Sequence, residues 1–252
     1  MVMEKIKESG MERITSRSNA RIVLWDRLHE KKERYAQRRF LIEGQHLIEE
    51  ALKHELVETI LTVEETAPFP FADIIQVHPS VMKKLSRNIS PVRYMAVCRM
   101  KEEIICKNDR ILLLDDIQDP GNIGTLIRTA VSFSFDGIYL SPGCCDIYNE
   151  KVIRSTQGAL FAIPLRYDNL LDVMEDLHRH KVRIYAGTLD ASVPLSSVKV
   201  SGKAAFLLGN EGQGIHASLQ RKSDVCMRIE MKGFESLNVA VAGGIIMYHF
   251  RA

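Results

Sequence analysis

Polar side chains able to do chemistry gather in three short stretches, each trailing a strongly apolar run. They are "DDIQDPGN" (Asp115–Asn122), "LGNEGQG" (Leu208–Gly214) and "EMKGFESLN" (Glu230–Asn238). In the first, "DPGN" has Pro and Gly where a type II turn wants them. Asn122 then caps a helix "IGTLIRTAV" whose apolar face is Ile123, Leu126, Ile127 and Ala130, with Arg128 pointing away from most of it as a solvated residue would. The second is a glycine-rich loop whose backbone groups can grip a small polar ligand, with Glu211 as its one charge. It also contains G-x-G-x-x-A (Gly212, Gly214, Ala217) with Glu230 downstream, a nominal dinucleotide fingerprint. No Lys-Ser/Thr follows the glycines, which excludes a Walker-type phosphate loop. In the third, Gly233 permits an unusual backbone angle and Ser236 opens a helix. Asn238, one turn inside, is poorly explained by capping, and the run Val239–Gly244 behind it is small and apolar.

Other chemistries drop out. There is no G-x-S-x-G nucleophile elbow. "HRH" (His178–His180) lies on a charged helix and reads as solvated, with no metal site expected. The five cysteines, Cys98, Cys106, Cys144, Cys145 and Cys226, are odd in number and contain no C-x-x-C. They suggest neither a disulfide framework nor zinc, but packing thiols in a reducing cytosol.

The elements that must position these loops follow from the apolar pattern. From Arg110 onward, strands "RILLLDDI", "GIYLSPG", "RIYAGT", "KAAFLLG" and "VCMRIEM" alternate with helices starting near Asn122, Asn149, Asn169, His216 and Ser236. Strands this apolar are buried on both faces, so the region is expected to be a doubly wound α/β domain with a mostly parallel sheet. Ligands in such folds sit beyond the carboxyl ends of the strands, where all three loops fall. Before it, a charged helical pattern over Ser18–Arg38 leads into short alternating strands and helices, a small α/β unit. The expected domains are 1–100 and 110–252, joined by a linker at 101–109.

Net charge is only +2, but Arg13–Arg39 carries nine Lys/Arg against three Asp/Glu, a candidate phosphate-contacting surface. No secretory signal appears, and the longest apolar runs fall short of the roughly 20 residues of a membrane span. A soluble, cytoplasmic protein is expected.

The stretches "QDPGNIGTLIRTA", "LLGNEGQGI" and "IEMKGFESLNVAVAGG", in that order, resemble the three signature motifs of the SpoU (TrmH-like) branch of the SPOUT RNA methyltransferases. "KVIRSTQGALFAIP" between the first two is also family-like. "SRSNARIVLWDRLHEKKERYAQRRFLIEGQHLIEEAL" is similar to the family's substrate-binding domain, itself like small ribosomal-protein RNA-binding folds. One departure is "IEM" (Ile229–Met231), where many members have Pro in the middle. The resemblance implies a C-terminal trefoil knot, a homodimer, S-adenosylmethionine as cofactor, and 2′-O-methylation of a ribose in structured RNA, ribosomal RNA being favoured over transfer RNA. It implies Arg128 at the acceptor, with Asn122, Glu211, Ser236 and Asn238 completing the catalytic site. The cofactor would lie against Thr188, Gly209, Ile229 and Leu237. Arg17, Arg21, Lys31, Lys32, Arg38 and Arg39 would contact the RNA backbone. The alternatives are a nicotinamide-dependent oxidoreductase using the G-x-G-x-x-A, and an RNA-binding protein of the same fold without turnover.

Overall fold

Period-two apolar runs too short to stand alone are collected into two sheets. The computed structural model describes residues 11–101, 109–189, 191, 193–199, 202–233 and 236–251. The chain divides into the units Met1–Met100 and Lys101–Ala252. Most of the expected linker, 102–108, lies outside the described residues, as does Cys106.

In the first unit, β1 (Glu12–Ile14), β2 (Arg39–Glu43), β3 (Val57–Thr62), β4 (Ile74–Val77) and β5 (Tyr94–Arg99) form a sheet ordered β1-β4-β3-β5-β2. β5 is antiparallel to β2 and β3, and the other pairings are parallel. Helices α1 (Ala20–Asp26), α2 (Lys31–Gln37), α3 (Gln45–Lys53) and α4 (Pro79–Leu85) accompany it. Ile22, Trp25 and Leu28 bury against Val81, Met82 and Leu85 and against Ile75 and Val77 of the sheet. The helix expected over Ser18–Arg38 is broken into α1, a 3-10 turn at Arg27–His29, and α2. The break is stabilised by Arg34, which turns inward and donates to the carbonyls of Leu28 and His29 at 2.8 and 2.7 Å. Helix-end carbonyls lack intrahelical partners, so a buried guanidinium there satisfies what the break exposes.

The second unit runs β6 (Arg110–Leu114), α5 (Pro120–Ser132), β7 (Gly137–Leu140), α6 (Glu150–Thr156), α7 (Ala159–Ala162), β8 (Leu165–Tyr167), α8 (Leu170–Arg179), β9 (Arg183–Gly187), β10 (Val193–Pro194), β11 (Ala204–Leu208), α9 (Ala217–Lys222), β12 (Val225–Arg228) and α10 (Val239–His249). Among the described residues its seven strands lie in the order β10-β12-β9-β11-β6-β7-β8, every neighbouring pair parallel. This is the parallel α/β sheet expected from the apolar runs. β6 and β11 are buried along nearly their whole length because alternate side chains serve opposite faces. Ile111, Leu113, Ala205 and Leu207 pack with Leu170, Val173, Met174 and Leu177 of α8 and Leu219 of α9. Phe206 turns the other way and stacks on Phe250, ring centroids 4.8 Å apart. No helix among the described residues is long and apolar enough to cross a membrane.

Two helix starts differ from expectation. "DPGN" is no type II turn: α5 begins at Pro120, a position that wastes no amide. Its cap is Asp119, whose Oδ1 accepts from Asn122 N at 2.9 Å. At the other end, α10 begins at Val239 and its cap is Asn238, not Ser236; Asn238 Oδ1 accepts from Ala240 N at 2.9 Å and Val241 N at 3.3 Å. Gly243 explains part of the small-residue run. A Cβ there would lie 2.3 Å from Leu126 of α5 and 2.8 Å from Leu208 of β11. Gly244 meets nothing within 4 Å.

Candidate active site

Adjacent strands β12, β9, β11 and β6 end on the same side of the sheet, so their following loops meet. The three polar stretches leave β6, β11 and β12, and a fourth loop begins at Thr188 after β9. Between the loops after β9, β11 and β12 lies a cavity of about 400 Å³, within the range of small-molecule sites. Thr188, Gly209, Ile229 and Leu237 all line it, as do Glu211 and Ser236.

The wall on the β11 side is a loop folded back on itself. Asn210 and Gly214 exchange backbone hydrogen bonds, each 3.0 Å, and Asn210 Oδ1 accepts from the amides of Gly212 and Gln213 at 2.9 and 3.1 Å. A Cβ on Gly209 would lie 2.3 Å from the Gly214 backbone, so only glycine fits. Gly214 has φ +70°, a left-handed angle that glycine adopts without strain. These amides are turned inward onto Asn210, and the helix that follows has only six residues. Glu230, which a dinucleotide would need on its ribose, is hydrogen-bonded to the Ser196 hydroxyl. The nominal fingerprint therefore does not form the geometry of a dinucleotide site.

Thr188 Oγ1 is buried with no hydrogen-bond partner among the described residues. Leaving such a group unmade costs about 1–3 kcal/mol. A polar hydroxyl orphaned in the wall of a small cavity fits a ligand rich in hydroxyl, amine and carboxylate groups, as S-adenosylmethionine is.

At the edge of the cavity the three polar stretches are tied together. Asn238 Nδ2 donates to Asn122 Oδ1 at 2.9 Å, and Asn122 Nδ2 donates to Glu211 Oε1 at 2.8 Å. A carboxylate only accepts, so Glu211 fixes which way Asn122 faces. Asn122 in turn fixes Asn238, whose oxygen is left for the amides of α10. Capping and bridging are thus one arrangement, which accounts for an asparagine at this helix start. Arg128 is not part of the bridge. It lies on α5 about 9 Å further along the axis than Asn122 and about 120° around it. Its side chain is exposed, and its guanidinium makes no hydrogen bond or ion pair among the described residues.

One cluster was not anticipated. His216, the residue before α9, donates its backbone N–H to Asp115 Oδ2 at 2.8 Å, and its Nδ1 lies 3.0 Å from the same carboxylate. Its Nε2 faces Asp116 Oδ2 at 3.9 Å. Asp115 is buried at the end of β6. Asp116 accepts Asn210 Nδ2 on its backbone oxygen at 2.7 Å. A buried acid directly after a strand was the available signal, but nothing in the sequence linked it to a histidine so far downstream.

The thiols behave as packing groups. Burial pushes Cys144 up to about 11 and Cys145 up to about 12, so neither is a thiolate at neutral pH. In the first unit, Arg17, Lys31, Lys32 and Arg38 are exposed. Arg21 and Arg39 are half-buried and ion-paired, to Glu12 and Glu58. His178 is hydrogen-bonded to Asp224 at 3.1 Å rather than paired with His180.

Comparison with known proteins gives a concordant picture. The SpoU rRNA Methylase family model matches residues 109–248, and a model described as an MRM3-like substrate binding domain matches residues 19–96. The chain is 39% identical over 247 residues to the 23S rRNA (guanosine(2553)-2′-O)-methyltransferase RlmP of Bacillus subtilis, covering 96% of this chain and 100% of that protein. Among solved structures, the AdoMet-bound rRNA methyltransferase from Sinorhizobium meliloti is similar with a TM-score of 0.81 at 27% identity, covering 95% of this chain and 97% of that one. The SpoU methyltransferase AviRb from Streptomyces viridochromogenes, in complex with AdoMet, gives 0.83 at 25% identity, covering 92% and 96%.

Proposed function

The chain belongs to the SpoU rRNA Methylase family, and from that premise we propose that it transfers a methyl group from S-adenosylmethionine to a ribose 2′-hydroxyl of ribosomal RNA. The observation that carries this reading is the cavity, lined by the loops after β9, β11 and β12 and edged by the Asn238–Asn122–Glu211 bridge. When bound, the methyl donor supplies a methyl group activated by a positively charged sulfur. Thr188 Oγ1 and the main chain at Gly209, Ile229 and Leu237 hold the donor. The asparagine–glutamate bridge keeps the acceptor side of the site in one geometry. Orientation of this kind is worth several kcal/mol of barrier.

Arg128 binds the phosphate beside the target ribose and stabilises the developing alkoxide, the hydroxyl proton passing to solvent. A guanidinium does not give up its proton in a protein, so Arg128 acts by charge and by its fork of donors, not as a base. Ser236, in the cavity wall next to the bridge, completes the acceptor side. Arg17, Lys31, Lys32 and Arg38 contact RNA phosphates, with Arg21 and Arg39 joining them once their carboxylate partners are exchanged for phosphate.

Two architectural features belong to the same proposal. β11 lies between β6 and β9 although it follows both in the chain, an order that supports a C-terminal knot. Val241, Ile245 and Tyr248 are 52%, 38% and 56% exposed and recur at helical spacing on α10, with Gly244 open between them. Such an apolar stripe supports a homodimer. The protein is proposed to act in the cytoplasm, without a metal.

Calorimetric titration with S-adenosylmethionine, with NAD in a parallel cell, tests the reading. Saturable binding of the methyl donor alone is expected. Binding of NAD alone would overturn it.

A further inference from the structure

The glycine-rich wall of the cavity is fastened at both ends to two consecutive residues, Asp115 and Asp116. At the near end, Asn210 Nδ2 donates to the Asp116 carbonyl at 2.7 Å. At the far end, His216 donates its backbone N–H to Asp115, sets Nδ1 against the same carboxylate at 3.0 Å, and turns Nε2 toward Asp116. The Asp116 anchor is itself rigid. It has a left-handed φ of 54°, its N–H donates to Ser141 Oγ at 2.8 Å, and its carboxylate occupies the space a Cβ on Gly143 would take, 2.1 Å away. The loop between these fastenings, Asn210–Ile215, contributes six consecutive residues to the cavity wall.

We propose that His216 is a positioning residue that latches the glycine-rich loop in its donor-binding shape, holding it while the imidazole is protonated and bridges Asp115 and Asp116. The proposal rests on the reading of the cavity as the methyl-donor site and deepens it. Asp115 and Asp116, both at the end of β6, are the charged groups facing the ring. α8, packed beside α9, brings Glu175, but that carboxylate is taken by Lys222 at the far end of α9. The hydrogen bond to Asp115, and then the charges of Asp115 and Asp116, raise the His216 pKa above its ordinary value. A histidine with a raised pKa in the latched state contributes fully below its ordinary pKa and loses that contribution as pH rises through the raised one. Because donor binding selects the latched loop over the released one, donor affinity weakens as pH rises through the raised pKa. The ring is half exposed, so solvent screens part of the interaction.

The experiment measures S-adenosylhomocysteine affinity by calorimetry between pH 5.5 and 9, for the parental protein, His216→Gln and Asp116→Asn. Because the ligand's own amine titrates equally in all three, the ratio of affinities is the readout. The parental protein is expected to bind more tightly than His216→Gln at low pH, by severalfold. The ratio should shrink toward one as pH rises. Asp116→Asn should show a smaller version of the same loss. In turnover assays at low pH, His216→Gln should raise KM for the donor with kcat retained. NMR of the His216 ring in the parental protein, free and bound, makes the test independent of how the variants fold. The bound form should titrate at higher pH. A ring that titrates identically in both forms would overturn the latch, as would an affinity ratio that stays flat with pH. No binding by the parental protein at any pH would instead refute the donor reading of the cavity.

Discussion

Single side chains carry opposite expectations for stability and for function, and this separates the roles assigned to them. Thr188→Val removes a buried hydroxyl that has no partner among the described residues. The donor-free protein should melt at higher temperature, by up to the equivalent of about 1 kcal/mol, because an unsatisfied buried polar group is lost. Donor affinity should fall by a similar amount in free energy if that hydroxyl meets the ligand, which calorimetry reads directly. Arg128 is exposed and its guanidinium makes no hydrogen bond or ion pair among the described residues, so Arg128→Lys should leave the melting temperature and donor binding untouched. It should lower kcat by about 10- to 100-fold, or about 1.4–2.7 kcal/mol of barrier, through loss of the bidentate fork. A parental rate in that variant would remove Arg128 from the acceptor site. Nothing in the sequence separated Arg128 from any solvated helix arginine; only the resemblance did. Thr188 was equally inconspicuous, because a threonine ending a strand is ordinary until the structure shows its hydroxyl sealed and unpaired.

At the scale of elements, adjacent glycines in α10 make a paired test. Gly243 is where the helix meets Leu126 and Leu208. Gly243→Ala should lower stability by about 1–3 kcal/mol through overpacking. Gly244 has open space around it, and in the isolated chain Gly244→Ala should stabilise the helix by about 0.8–1 kcal/mol. Urea melts of the two variants check the difference. The strands of the second unit were legible because five of them are apolar runs long enough to be seen, and the two missed, β8 and β10, are edge strands of three and two residues. Helix starts were less legible. An Asp-Pro-Gly-Asn stretch serves a turn or a capped helix equally well, and the neighbouring strand ends decide which. Ser236 and Asn238 are both good caps in isolation. Asn238 prevails because its amide nitrogen can at the same time reach Asn122, a residue 116 positions away in the sequence. The charged stretch Ser18–Arg38 looked like one helix because the inward turn of Arg34 leaves no trace in the charge pattern.

For the molecule as a whole, the apolar stripe on α10 and the basic segment of the first unit lead to separate expectations. Tyr248→Glu, on the exposed stripe, should shift a dimer toward monomer in sedimentation experiments, since a carboxylate there would be desolvated on association. RNA affinity should fall steeply with salt, and loss of Lys31 and Lys32 together should reduce the log–log salt slope by between one and two, as expected for single-stranded or helical phosphate contacts. The methyl transfer itself can be read from its product. Its most direct test is incubation of the protein with unmodified ribosomal RNA and S-adenosylmethionine labelled with tritium on the methyl group, followed by alkaline hydrolysis. A methylated 2′-oxygen cannot attack the adjacent phosphate, so the account predicts label in an alkali-resistant dinucleotide, absent when Arg128→Lys is combined with Asn122→Ala. Label recovered on a base, in alkali-sensitive mononucleotides, would contradict it.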